Sequence, residues 1–218
     1  MLDERLRCAA SLIRRGSRVA DIGTDHAYLP IHLIREGICP SAIASDVRPG
    51  PAGTARRNVQ AAGLDGVIQV RLGDGLSPLS PGEADDIVIA GMGGETIAAI
   101  LQAAGWVKDG RYRLVLQPMT RPEKLRQYLL TGGFSLLREA VVRAGGHLYV
   151  VMSAGYTGAP PVTDEAAYYR GALGKDGAAF LKKEIGRLRR QEAGWQSAGR
   201  EQQAARLHQL IARLEESL

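Results

Sequence analysis

Carboxylates and glycines stand where this chain turns out of its apolar strand-like runs. VADIGTDHAYLP (19–30) carries strand formers up to Gly23, then sets Asp25 and His26 in the turn. SAIASDV (41–47) ends on Asp46 and Val47, and RLGDGL (71–76) places Asp74 between Gly73 and Gly75. DDIVIAG (85–91) runs into Met92, Gly93 and Gly94, and LVLQP (114–118) ends on Gln117 and Pro118. In open α/β sheets ligands bind beyond the carboxyl ends of the strands, where strand order reverses. Five such ends, each closing on an acid, an amide or glycine, carry more weight together than any one motif.

The residue types narrow the ligand. A dinucleotide fingerprint, GxGxxG, needs a second glycine so that the backbone can approach a pyrophosphate; here Asp25 holds that place. An acid repels phosphate and suits a cationic amino group, such as the amino-acid end of S-adenosylmethionine. Asp46, 25 positions after Asp21, can accept both hydroxyls of an adenosine ribose. Asp74 can accept from an adenine amine, with Gly73 and Gly75 leaving room for the ring. Local alternatives exist for each: Asp46 can cap the turn before Pro49, Asp74 can close an Asx-turn, and glycines are ordinary turn residues. Order and spacing taken together favour the cofactor. The expected donor-binding set is Asp21, Gly23, Asp25, His26, Tyr28, Asp46, Val47, Gly73, Asp74, Gly75, Ala90, Gly91 and Gly93. Asp25, His26, Gly91 and Met92 are expected beside the reacting atoms. His26 is either part of that chemistry or a satisfied turn histidine. Gln117 either bonds the acceptor or ties the fifth strand to its loop.

The elements that position these residues follow from periodicity. Apolar spacing predicts helices over 2–15, 28–36, 51–63, 93–105 and 121–133, several closed by glycine. Strands are expected over 18–23, 41–47, 67–74, 85–91 and 112–118, and 136–155 reads as two strands joined at Ala144-Gly145-Gly146. Strands alternating with helices imply a parallel sheet covered on both faces, and a final strand arriving by hairpin must run antiparallel to its neighbour. That is the class I, Rossmann-like methyltransferase arrangement: a mostly parallel sheet with one antiparallel strand.

After TGAPPV (157–162) the pattern changes. Phe180, Leu181, Ile185 and Leu188 form one apolar stripe and Leu207, Leu210, Ile211 and Leu214 another, with Gly194 and Gly199 bracketing the expected turn. Residues 163–218 are therefore expected to form a small coiled-coil-like helical hairpin, separate from a methyltransferase domain over 1–156. KKEIGRLRR (182–190) puts five cations in nine residues, either a solvated helix face diluted by Glu184 or a grip on phosphate.

The bulk numbers set the class. A chain of 218 residues that is 45% hydrophobic and 23% charged can bury one ordinary core. A formal charge of +5 permits a polyanionic partner without requiring one. Cys8 and Cys39 form no CxxC, and His26, His32, His147 and His208 show no metal-type spacing, so no metal is expected. The first fifteen residues are charged throughout and no apolar run approaches the length of a membrane span. The expected setting is the cytoplasm, away from membranes.

VADIGTDHAYLP, the acid at Asp46, RLGDGL, DDIVIAGMGGETIAAIL and LVLQP resemble the bacterial TrmK family, the tRNA adenine-N1-methyltransferases. The resemblance runs from about residue 2 to 155 and loosely into the tail. It implies a class I fold, S-adenosylmethionine as donor, an adenine of the tRNA D-arm (adenine 22) as acceptor, and a C-terminal helical domain. Candidate phosphate contacts near the ligand edge are Arg48, Arg56, Arg57, Arg121, Lys124 and Arg126. The alternatives are a class I methyltransferase with a small-molecule or protein acceptor, or a non-catalytic RNA-binding protein. Assembly as a monomer or weak homodimer is expected.

Overall fold

The computed structural model describes residues 2–174 and 177–218. Its strands are β1 (Val19–Ile22), β2 (Ala42–Asp46), β3 (Ile68–Leu72), β4 (Asp86–Gly93), β5 (Arg113–Thr120), β6 (Phe134–Ala144) and β7 (His147–Tyr156). Its helices are α1 (Glu4–Ser11), α2 (Tyr28–Arg35), α3 (Pro49–Ala61), α4 (Gly94–Ala103), α5 (Pro122–Thr131), α6 (Glu165–Arg170), α7 (Ala178–Ser197) and α8 (Glu201–Glu215). A short 3₁₀ turn spans Gly105–Val107.

One seven-stranded sheet has the order β3-β2-β1-β4-β5-β7-β6. β1 pairs in parallel with both β2 and β4, so strand order reverses at β1, the expected ligand position. β7 alone runs against its neighbours, antiparallel to β5 and β6, as the hairpin signal requires. Pleating sends alternate side chains of the central strands into two cores. Ile87, Ile89, Leu114 and Leu116 face the layer containing α4 and α5, whereas Val88 and Val115 face α1 and α2. Strands buried on both faces read as unbroken apolar runs, as β4 and β5 do.

Caps explain several boundaries. Asp3 Oδ1 accepts from the Leu6 amide at 2.9 Å at the start of α1, and prolines open α3 and α5. α1 ends at Ser11, short of the expected residue 15, because the Leu12 and Ile13 amides bond three residues back in a tightening turn. No helix intervenes between β3 and β4: residues 73–85 cross as turns and loop, breaking the expected alternation.

Among its described residues the tail holds three α-helices where two were expected. α6 was hidden because its six residues are too few to show a period; Asp164 caps it, accepting from the Ala166 amide at 2.9 Å. Gly194 lies inside α7, and only Gly199, with φ +69, sits in the turn to α8. A single glycine costs a long, well-packed helix only about 1 kcal/mol, too little to end it. Leu181, Ile185 and Leu188 pack on Leu207, Leu210, Ile211 and Leu214, while Phe180 joins the sheet's own core.

Candidate functional site

A cavity of about 670 Å³ opens at the carboxyl ends of β1 to β5. Asp21, Gly23, Asp25, His26 and Tyr28 line it from the β1 side, Asp46 and Val47 from β2, and Gly73, Asp74 and Gly75 from the loop after β3. Ala90, Gly91 and Met92 of β4 and Gln117 of β5 close it. Gly93 is the one expected residue outside the lining; it caps α4 and lies close to the Thr120 and Thr96 hydroxyls. Arg5, Leu6, Thr24, Leu29, Thr96 and Ile100 also line the cavity. Sequence reasoning missed them because they belong to helix faces or turns whose periodicity speaks only of packing.

The turn after β1 is held in a costly shape. Asp25 has φ +53 and Ala27 φ +56, left-handed values that disfavour residues with a Cβ. Such strain persists where surroundings over-determine it. Here the Gly23 and Thr24 amides both donate to Ser45 O, at 2.8 and 2.9 Å, and Asn58 Nδ2 donates to His26 O at 2.9 Å. Asp46 is buried; its Oδ1 accepts from the Arg48 amide at 2.9 Å and its Oδ2 from the Asp25 amide at 3.3 Å. Arg48 Nε also lies 3.6 Å from Oδ1, an ion-pair rather than a hydrogen-bond distance, so each carboxylate oxygen accepts one hydrogen bond within the protein and has capacity for another donor.

Asp25 and His26 are partners. His26 Nδ1 lies 2.6 Å from Asp25 Oδ2, and both side chains are about half exposed at the cavity. The contact places the ring and the carboxylate side by side at the cavity wall. The ring stacks on Tyr28 with centroids 5.2 Å apart. Asp21, beneath them, is buried, and Thr24 Oγ1 donates to its Oδ2 at 2.6 Å. Burial pushes the Asp21 carboxyl up to about 6; the neighbouring charge of Asp46 adds to the rise and the Thr24 bond opposes it.

The β4 end is built around glycine. Gly91 has φ +82 with open space where a Cβ would stand, and its amide donates to Gln117 Oε1 at 3.1 Å. Gln117 is buried and its Nε2 donates to Pro118 O at 3.0 Å, so with the Gly91 bond this side chain ties β5 to the end of β4. The missing side chains of Gly73 and Gly75 admit Pro78 and Ile100, whose atoms lie 3.0 and 3.1 Å from where the Cβ atoms would be. These two glycines serve close packing of the protein on itself as well as lining the cavity.

Of the six expected phosphate contacts, Arg48 lines the cavity mouth. Arg56 and Arg57 lie on α3, Lys124 lies exposed on α5, and Arg121, just before α5, pairs with Glu95 at 3.1 Å. Arg126 is a correction: it is 0% exposed and cannot meet a phosphate, because its guanidinium is turned inward onto Glu139 of β6 at 2.8 Å. The tail's basic block is also partly internal. Glu184 is buried and takes Arg187 at 2.9 Å, Arg189 pairs with Glu215, and Lys182 and Arg190 are exposed.

A family model described as a methyltransferase domain matches residues 2–152. The curated tRNA (adenine(22)-N(1))-methyltransferase of Bacillus subtilis (strain 168) is 36% identical over 98% of this chain and 94% of its own. The chain belongs to the TrmK family. The solved B. subtilis m1A22 tRNA methyltransferase TrmK has 34% identity and a TM-score of 0.81, covering 99% of this chain and 96% of that one. Streptococcus pneumoniae Sp1610, solved in complex with S-adenosyl-L-methionine, has 32% identity and a TM-score of 0.83 over 98% of this chain and 99% of its own. Since both full-length matches extend past residue 152, the TrmK likeness includes the helical tail that the methyltransferase-domain match leaves out.

Proposed function

We propose that this chain is a tRNA (adenine(22)-N1)-methyltransferase that uses S-adenosylmethionine. The observation that carries this reading is the cavity at the β1 switch point, into which buried Asp46 and exposed Asp25 both project. The donor set suits the methyl donor. Asp46 has one free lone pair on each oxygen, matching a ribose diol. Asp25 Oδ1 is left for a cationic amino group once Oδ2 has taken His26. Asp74 takes the adenine amine, and Gly23, Tyr28, Val47 and Ala90 complete the walls. When bound, the donor supplies a methyl group carried on a sulfonium.

The chain's own part is positioning and charge. Neutral adenine has a lone pair on N1, so no residue has to remove a proton before attack. The wall at Gly91 and Met92 admits a flat ring, and Gln117 ties that end of β4 to β5, which supports catalysis by orientation. Positive charge appears on the purine as N1 is alkylated. The Asp25 carboxylate, with the His26 ring 2.6 Å from it at the cavity wall, can stabilise the charge that develops there. N1 lies on the Watson–Crick edge, so the base has to leave its helix to be reached.

We take residues 1–156 as the catalytic unit and 163–218 as a helical unit. No helix among the described residues is long and apolar enough to cross a membrane. We place the enzyme in the cytoplasm, as a monomer or weak homodimer. The test is incubation with labelled S-adenosylmethionine and an unmodified tRNA transcript, followed by mass-spectrometric mapping. The expected product is 1-methyladenosine at position 22. Methyl transfer to another acceptor, or tRNA binding with no product, would replace this reading with one of its alternatives.

A further inference from the structure

Arg126 is the largest fully buried side chain among the described residues and takes no part in the cavity. Its Nε donates to Glu139 Oε1 at 2.8 Å, and its Nη1 donates to the carbonyls of Tyr168 and Tyr169, each at 3.0 Å. Those carbonyls belong to the last turn of α6, where a cation also meets the negative end of the helix dipole. The second oxygen of Glu139 accepts from the Ala172 amide just beyond α6. One ion pair thus joins α5, β6 and the first helix of the tail. Gly171 is required beside it: its φ is +57, and a Cβ there would overlap both the Glu139 carboxylate and the Arg126 guanidinium.

A buried ion pair is a poor way to gain stability, because desolvation offsets most of the attraction and an apolar pair of similar volume often does as well. Arg126 Nη2 even lacks a hydrogen-bond partner among the described residues. What the pair supplies, and an apolar pair lacks, is direction, since three of its bonds end on fixed backbone atoms of residues 168–172. One turn earlier on α5, buried Glu123 faces Arg187 of α7 at 3.6 Å. Both tethers leave from the helix that follows β5, two residues of whose end, Gln117 and Pro118, flank the cavity and a smaller hollow. That hollow, about 290 Å³, lies between Pro118–Arg121 and the α7 residues Phe180, Lys183 and Arg187.

We propose that the Arg126–Glu139 pair is a positioning latch: it sets the angle of the helical tail beside the mouth of the donor cavity, and so governs use of the macromolecular acceptor but not binding of the donor. No tail residue among those described lines the donor cavity, whereas an acceptor entering beside β5 meets α7. The inference rests on tRNA being the acceptor. The test compares wild type with Arg126→Met/Glu139→Leu, which removes both charges and their backbone bonds together. The double variant is expected to keep its S-adenosylmethionine Kd within about twofold while its KM for tRNA rises about tenfold and kcat changes less. Amide exchange at residues 168–172 is expected to speed up. If the double variant does not fold, Arg126→Lys, which keeps the charge but loses the fork, gives the same readout. An unchanged KM for tRNA overturns the latch and leaves the functional reading standing. Absence of 1-methyladenosine from the wild type overturns the functional reading and the acceptor role of the latch with it.

Discussion

The terminal methyl of Met92, near the end of β4, occupies the place that a side chain on Gly23, in the turn after β1, would need. A strand end and a turn that converge at the switch point of the sheet thereby meet at the cavity wall, and the glycine of DIGTDH is in contact with a residue 69 positions away in sequence (92 − 23). Gly23→Ala is expected to lose about 1–2 kcal/mol of stability, chiefly from φ +74, which an L side chain resists. The methionine tip is flexible and can yield by moving within the cavity that it lines. The same variant should therefore lose kcat, and Gly23→Ala/Met92→Ala should recover kcat without recovering stability. Urea unfolding and steady-state kinetics on both variants separate the two effects.

Asp25 and Asp46 are expected to act on the donor in different ways. Asp25→Asn tolerates the left-handed backbone and removes only the charge. It should weaken S-adenosylmethionine binding by about 2 kcal/mol, the worth of a hydrogen bond to a charged group. Asp46→Ala should weaken it as well, and should also destabilise the fold, because the Asp25 and Arg48 amides lose their acceptors. Calorimetry with a parallel melting curve checks both. An Asp25→Asn affinity equal to wild type would mean that Asp25 only shapes the turn.

The buried carboxyl of Asp21 makes stability depend on pH. Its folded value, about 6, stands above its ordinary 3.8, so the folded state holds the proton more tightly. Its contribution is fully present below about 3.8 and is lost as pH rises through about 6. The difference converts to roughly 3 kcal/mol, an order-of-magnitude figure, of destabilisation at neutral pH. Asp21→Asn is expected to be more stable than wild type at pH 7.5 and to lose that advantage at pH 4. Denaturant midpoints at the two values decide it; an advantage independent of pH would remove Asp21 as the cause.

Arg126 distinguishes a buried tether from a surface cation. Arg126→Met alone leaves Glu139 charged and uncompensated in the interior, and is expected to lose about 3–5 kcal/mol. Lys124→Met, two residues before it on the exposed face of α5, is expected to stay within about 0.5 kcal/mol of wild type. Equal, small losses in the two variants would contradict the burial that the fold assigns to Arg126.

Much of this protein was legible along the chain. Periodicity and glycine stops depend on near neighbours, so they located the strands and catalytic-unit helices, the hairpin that turns β7 antiparallel, and the strand ends where Asp25, Asp46, Asp74 and Gly91 gather. Properties that depend on distant elements were not legible. Arg126 reads as one more surface cation on α5 until β6 and α6, 13 and more residues away, close over it. Gly73 and Gly75 read as space for a ligand until Pro78 and Ile100 are seen packed against them. Gln117 was open between two roles until the fold put Gly91 beside it. Local sequence determines where a residue falls in its own element, but only the tertiary structure decides whether its polar group faces water, a ligand or another part of the chain, because burial is set by everything that packs around it.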